Sequence, residues 1–272
     1  MIEYLDLLKY VMMNGEQRED RTGTGTLACF GQTLKFNLTT GFPAVTTKKL
    51  MFKSVAAELA GFLEGTESAV RMRELGTNIW NANANAKHWQ EKSECRGPDD
   101  MGPVYGSQWL NFGGSNVNQL REVVYRLISN PTDRRLVVSA WNPADLHKMC
   151  LPPCHIFFQF FVRQDSYLDI QWYTRSVDLF LGMPFDIASY ALLTHIVAQQ
   201  VDLIPGMMTV VTGDTHIYLN HLEQVIEILD REPKQLPLLD LWYNATIDNF
   251  HPDMAKLNNY NPHPAIHAEM SV

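Results

Sequence analysis

The sequence predicts one α/β or α+β domain with a substantial β-sheet. Three observations predict it. Runs of aromatic and branched residues at strand length crowd the second half of the chain, amphipathic or apolar helical runs flank them, and no linker, internal repeat or low-complexity tract divides them. With 272 residues, 46% of them hydrophobic and 11% aromatic, the chain can bury a large core.

Tyr4, Leu5, Leu8, Val11 and Met12 recur at helical spacing and stop at Gly15, which predicts an opening helix. After a loop, Leu34, Phe36 and Leu38 alternate with polar residues, so 26–38 reads as a strand. Helical periodicity returns from Phe52 to Leu63 and ends at Gly65, and Gly and Asn then punctuate 76–115. A helix is expected over 117–129, closed by Asn130 and Pro131, followed by strands over 135–141, 155–163 and 167–176. Pro184 suits a helix start, and the apolar run over 187–203 reads as a buried helix. A strand over 207–212 then leads to Asp214, read as the N-cap of a helix ending near Arg231. Neither a glycine-rich phosphate loop nor a dinucleotide fingerprint follows a strand.

The net charge of -8 argues against a nonspecific nucleic-acid binder, because phosphate-backbone affinity needs excess Lys and Arg. A small anionic substrate stays compatible, since a few arginines can converge inside an acidic protein. The four cysteines, Cys29, Cys95, Cys150 and Cys154, form no dense framework, so a reducing compartment is expected. The chain starts on an amphipathic acidic stretch and contains no 18-residue apolar run, which predicts a soluble cytoplasmic protein without membrane association.

The most unusual segment is Cys150-Leu151-Pro152-Pro153-Cys154-His155. Two prolines fix the approach to Cys154 and withhold two backbone donors, which suits a thiol held rigidly at a strand start. A small buried hydrophobe is the bland reading of Cys154. Zinc needs more ligands at metal spacing than Cys150, Cys154 and His155, and adjacent strand residues point to opposite faces, which disfavours a papain-type Cys–His pair. Arg21 lies in Asp20-Arg21-Thr22-Gly23-Thr24-Gly25-Thr26, Arg134 and Arg135 precede a strand, and Arg175 ends one. Arginines so placed can form a pocket for a phosphate dianion, and would depress the pKa of a nearby cysteine.

Together these segments resemble thymidylate synthases over essentially the whole chain. The resemblance runs through Asp20 to Thr26, Thr46-Thr47-Lys48, Glu58, Ile79-Trp80, Gly102 to Gly106, Arg134-Arg135, Ser139 to Asn142 and Leu151 to His155. It continues through Arg175 to Asp178, Leu181 to Phe185, Ile187 to Tyr190, Gly213 to Tyr218, Tyr260 to Pro264 and the tail Glu269 to Val272. It implies one α+β catalytic domain over 1–272, with a large twisted mixed β-sheet covered by helices, and a homodimer packed sheet to sheet. It also implies 5,10-methylenetetrahydrofolate as cosubstrate, no metal, no obligatory nucleic acid, and host cytoplasm if the source is viral.

By the same resemblance, Cys154 adds as a thiolate to carbon 6 of a pyrimidine, breaking the conjugation that keeps carbon 5 inert. Glu58 is the general acid-base, on a helix made largely buried by Val55, Ala56, Leu59 and Phe62, where a carboxylate is costly without a role. Tyr105 helps remove the carbon 5 proton or release the folate. Arg21, Arg175 and Ser176 hold the phosphate, with Arg134 and Arg135 donated from the partner subunit. His216 and Tyr218, expected at a helix start, bind the sugar 3'-hydroxyl, and His155 and Asp178 complete the nucleotide set. Lys48, Ile79, Trp80, Asp178, Leu181, Gly182 and Phe185 line the folate side, closed by Ser271 and Val272; Trp80 also packs against the transferred carbon.

One departure bears on the substrate. Where thymidylate synthases carry an asparagine that accepts from uracil N3–H and donates to O4, this chain has Asp186. Cytosine presents the inverse edge, an amino donor at position 4 and an acceptor at N3. Keeping Asp186 neutral for uracil at pH 7 means raising its pKa by about 3 units, roughly 4 kcal/mol. Asp186 is therefore expected to select dCMP, as in deoxycytidylate hydroxymethylases, giving 5-methyl- or 5-hydroxymethyl-dCMP; a modified cytosine nucleotide fits a virus that replaces cytosine in its DNA. The alternatives are a thymidylate synthase acting on dUMP, with Asp186 a helix-start carboxylate favoured by the dipole, and a noncatalytic nucleotide- or RNA-binding protein. Thr174, where the family usually has glutamine, is a second departure.

Overall fold

The computed structural model describes residues 1–20, 23–163 and 166–269. Helix α1 (Ile2–Asn14) buries Tyr4, Leu7, Leu8 and Val11. It is followed by β1 (Glu16–Arg18) and β2 (Thr26–Asn37). Helix α2 (Phe52–Glu64) stops at Gly65, which turns left-handed at φ 68°, a conformation glycine adopts without a Cβ clash. The glycine- and asparagine-rich stretch that follows is more ordered than its punctuation implies. It holds α3 (Ala69–Leu75), α4 (Asn81–Ala84), α5 (Lys87–Gln90) and α6 (Tyr105–Leu110). Helix α7 (Gln119–Ser129) starts two residues later than expected, because Asn118 Oδ1 accepts the Arg121 amide at 2.8 Å and caps it.

Strand β3 (Val137–Ser139) is shorter than predicted and leaves Arg134 and Arg135 exposed outside it. Strands β4 (His155–Arg163) and β5 (Tyr167–Asp178) follow. Helix α8 (Gly182–Gln200) begins before Pro184, which is its third residue; first-turn amides have no intrahelical acceptor, so a missing N–H costs little there. It is buried along nearly all its length and apolar on every side. Strand β6 (Ile204–Tyr218) far exceeds the predicted 207–212 and takes in Asp214, which is therefore not a helix cap. His216 and Tyr218 accordingly stand on a strand. Helix α9 (Leu222–Leu229) begins beyond them, and β7 (Leu238–Leu241) pairs with β8 (Ala255–Asn258).

The large sheet runs in the order β1-β2-β6-β5-β4-β3, mixed because β5 and β6 are parallel and the other pairs antiparallel. The parallel pair requires a crossover, and α8 supplies it. Alternation sends Phe158, Phe160, Ile170, Trp172, Met208 and Val210 into the core, where α1 and α8 pack against β2, β5 and β6. The opposite face carries Phe157, Tyr173 and Val211 side by side in register, the first two stacked with centroids 6.1 Å apart, and Phe161 is 64% exposed.

Register decides what meets at one end of the sheet. His155 on β4 is opposite Thr174 on β5, Ser176 is opposite Asp214, and Asp178 is opposite His216. The chain leaves β5 at Asp178 and enters α8 four residues later, so the first turn of that helix lies beside these strand ends.

Candidate active site

Cys154 immediately precedes β4, and its carbonyl accepts the Arg175 amide at 2.9 Å, tying the loop to β5. The Arg175 guanidinium donates to the carbonyls of Pro153 and Pro152, both at 2.9 Å. The two prolines thus present acceptors that hold the arginine beside the thiol. From the other side the Cys154 amide donates to Tyr105 Oη at 2.8 Å. Tyr105 reaches it because Gly106 lies against the Phe62 backbone, where a Cβ would sit 2.0 Å from the Phe62 carbonyl oxygen. The Tyr105 ring stacks on Phe62 at 4.9 Å and meets Trp80 edge-on at 5.9 Å.

Burial pushes the Cys154 thiol up, and the negative charge of Asp186 adds to this, while Arg175 and the Tyr105 hydroxyl oppose it. The sequence-based expectation of a depressed cysteine pKa is thereby corrected. Among the described residues Arg175 is the arginine that acts on it; Arg134 and Arg135 are exposed, with Arg135 paired to Asp133 at 3.0 Å. Arg21 lies outside the described residues, as do Ser271 and Val272.

Glu58, on α2, accepts from Trp80 Nε1 at 2.9 Å. Burial first, then the charge of Asp186, raises its carboxyl to about 7, against the smaller opposing effects of Trp80 and His155. Asp186 itself lies in the first turns of α8 with Oδ2 3.0 Å from His155 Nε2. Cys154, Tyr105, Trp80, Glu58, His155 and Asp186 therefore form one connected cluster. His216 and Ser176 stand at the strand ends beside it, with His216 Nδ1 2.8 Å from Asp214 Oδ1 and its ring 5.1 Å from Tyr218.

On the adjoining side, Asp178 Oδ1 accepts the amides of Phe180 and Leu181 at 2.8 and 3.2 Å, which folds the chain into α8. The Lys48 ammonium donates to the Phe180 carbonyl and sits 3.7 Å over its ring; burial lowers its pKa to about 8. Leu181, Gly182 and Phe185 are partly accessible on the first turn of α8, and Ile79 next to Trp80 is likewise partly open. Among the described residues no group of three or more His, Cys, Asp or Glu is arranged to hold a metal ion, and no helix is long and apolar enough to cross a membrane.

The sequence model of the family described as thymidylate synthase matches residues 2–272. The chain belongs to the thymidylate synthase family. The thymidylate synthase of Enterobacteria phage T4 is 48% identical over an alignment of 292 positions that covers all of both chains. This chain is accordingly a thymidylate synthase-like transferase of one-carbon groups.

Two residues packed around these groups were given no site role from the sequence. Tyr190 stacks on Trp172 at 4.6 Å and lies 5.3 Å from His155. Its position four residues after Asp186, on the same helix face, was the available signal. Asp214, read as a cap, instead holds His216; their spacing of two on a strand places them on one face.

Proposed function

We propose that this chain transfers the one-carbon unit of 5,10-methylenetetrahydrofolate to carbon 5 of dCMP. The single observation that carries the choice of base is Asp186, a carboxylate bound to His155 within the Cys154–Glu58 cluster, where the family's amide would read uracil. A carboxylate accepts from the cytosine amino group and shares a proton with N3, whereas it would set an acceptor against the O4 of uracil.

Cys154 Sγ bonds to carbon 6 and the 5,6 double bond breaks, placing electron density on carbon 5 and toward N3, which draws in the proton shared with Asp186. Arg175 favours the thiolate that starts this step. When bound, the folate supplies the carbon and, in the methyl outcome, a hydride. Glu58, near pH 7 able both to give and to take a proton, manages protons around the ring, and Tyr105 beside Cys154 assists removal of the carbon 5 proton. Re-forming the 5,6 double bond expels Cys154. Arg21, Arg175 and Ser176 hold the phosphate, Arg134 and Arg135 reach it from a partner subunit, and His216 and Tyr218 take the sugar hydroxyl. Lys48, Ile79, Trp80, Asp178, Leu181, Gly182 and Phe185 form the folate side, with Ser271 and Val272 closing it.

The half-open sheet face with Phe157, Tyr173, Val211 and Phe161 supports a sheet-to-sheet homodimer, since an apolar sheet face of this kind is normally covered.

A second reading, conversion of dUMP to dTMP, is favoured by the similarity to the phage T4 protein, whose name supports dUMP better than dCMP. Tritium release from carbon 5 of labelled dCMP and labelled dUMP, with folate present, separates the two; a higher kcat/KM on dUMP returns the chain to ordinary thymidylate synthase activity, and release from neither defeats catalysis altogether. We favour 5-methyl-dCMP with dihydrofolate as the product pair, because Trp80, proposed to pack against the transferred carbon, is 5% exposed and held by Glu58 and Tyr105, which sets an apolar ring where hydroxymethylation needs a water. Dihydrofolate raises near-ultraviolet absorbance. A nucleotide gaining a hydroxymethyl group by mass without dihydrofolate overturns that preference.

A further inference from the structure

The proposed folate side rests on a short segment, Thr46-Thr47-Lys48, whose backbone is held from outside the sheet. The Thr46 carbonyl accepts the His263 amide at 2.8 Å, and Tyr260 Oη bridges the Val45 carbonyl and the Leu50 amide at 2.7 and 2.8 Å. The side chain that joins this segment to the chain heading for the C-terminus is Arg231. It is 17% exposed, and its Nη1 donates to the Thr47 carbonyl at 2.8 Å and to the Pro264 carbonyl at 2.7 Å. Its Nη2 pairs with Glu227 on α9, which fixes the plane of the guanidinium. Further along, the Glu269 carbonyl is 2.7 Å from His221 Nε2, and the His221 ring lies 5.4 Å from Phe180, whose carbonyl binds Lys48.

We infer that Arg231 is a positioning residue for the folate side, fixing Lys48 relative to the C-terminal segment. The inference rests on the folate reading above. Two carbonyls and one carboxylate in different directions call for a planar, multi-donor head that lysine cannot reproduce. The segment has little to fall back on, for Thr47 Oγ1 is already buried with no hydrogen-bond partner. The nucleotide side is anchored independently, Arg175 on the Pro152 and Pro153 carbonyls and His216 on Asp214. Loss of Arg231 is therefore expected to separate the two substrates energetically.

The test compares wild type, Arg231→Met and Arg231→Lys in three measurements: calorimetric affinity for dCMP and for dUMP without folate, binding of 5,10-methylenetetrahydrofolate to the nucleotide complex by tryptophan fluorescence, and the folate KM. Arg231→Met is expected to weaken folate and raise its KM roughly tenfold, the effect of two lost hydrogen bonds, with nucleotide affinity within about twofold. Arg231→Lys should recover part of the loss. Should Arg231→Met fail to fold, Glu227→Ala frees the guanidinium without removing it and is expected to raise the folate KM about threefold. Equal losses for nucleotide and folate, or unchanged folate binding, overturn the inference alone. A wild type that binds no folate with either nucleotide overturns the underlying reading, and the inference with it.

Discussion

Replacing Asp186 by asparagine changes one carboxylate oxygen to an amide at constant shape, and the structure gives two separable consequences. An acceptor remains for His155 Nε2, which lies 3.0 Å from Oδ2, so the fold should be little disturbed. The edge proposed to face the base inverts, however, and a mispaired buried polar edge costs about 1–3 kcal/mol, roughly a 5- to 150-fold change in kcat/KM for each base. The second consequence falls on Glu58. After burial, Asp186 is the main influence holding that carboxyl up near 7, so removing its charge lowers the Glu58 pKa. The limb of the pH profile of kcat/KM set by Glu58 should move to lower pH. Both effects are read by tritium release from carbon 5 of dCMP and dUMP over pH 5–9. A wild-type preference for dCMP that survives the substitution, or a limb that stays put or moves upward, refutes the reasoning.

Cys154→Ser is expected to abolish turnover of every pyrimidine nucleotide while calorimetry still detects binding; turnover within about tenfold of wild type removes Cys154 as nucleophile. Mixing Arg135→Ala chains with Cys154→Ser chains should restore part of the activity, since one hybrid site carries neither lesion, and none returning despite demonstrated subunit exchange rejects a shared site. Glu58→Gln should stabilise the protein at pH 8 and not at pH 4. The folded-state pKa near 7 exceeds the ordinary 4.5, so the folded chain holds the proton more tightly and stability is lost as pH rises between those values. The gain at pH 8 has an upper bound of about 3 kcal/mol by urea unfolding, and equal effects at both pH values argue against a buried Glu58 carboxylate.

Local signals carried the strands and long helices because alternation and helical spacing report burial directly, as Trp172 and Leu8 do. They failed where pairing between distant segments decides. Asp214 ahead of a helical run has the signature of a cap, yet β2 and β5 hold that stretch as strand from both sides. The helices α4 to α6 have six residues or fewer and too little length for periodicity, and they depend on packing for their existence. Cys154, Glu58 and Asp186 were singled out in the sequence and the structure gathers them, but the direction of the thiol shift was not legible, since burial outweighs Arg175.

The crossover between β5 and β6 also divides labour within the proposed site. Arg175, Ser176, His216 and Tyr218, proposed for phosphate and sugar, ride on strand ends whose register is locked by two neighbours, whereas Asp186 rides on the first turns of a helix whose apolar remainder is packed independently of it. A carboxylate and an amide of equal size are interchangeable there without repacking. On the proposed reading, base preference is thus one codon away from its alternative, whereas moving Ser176 or His216 would require disturbing the sheet itself.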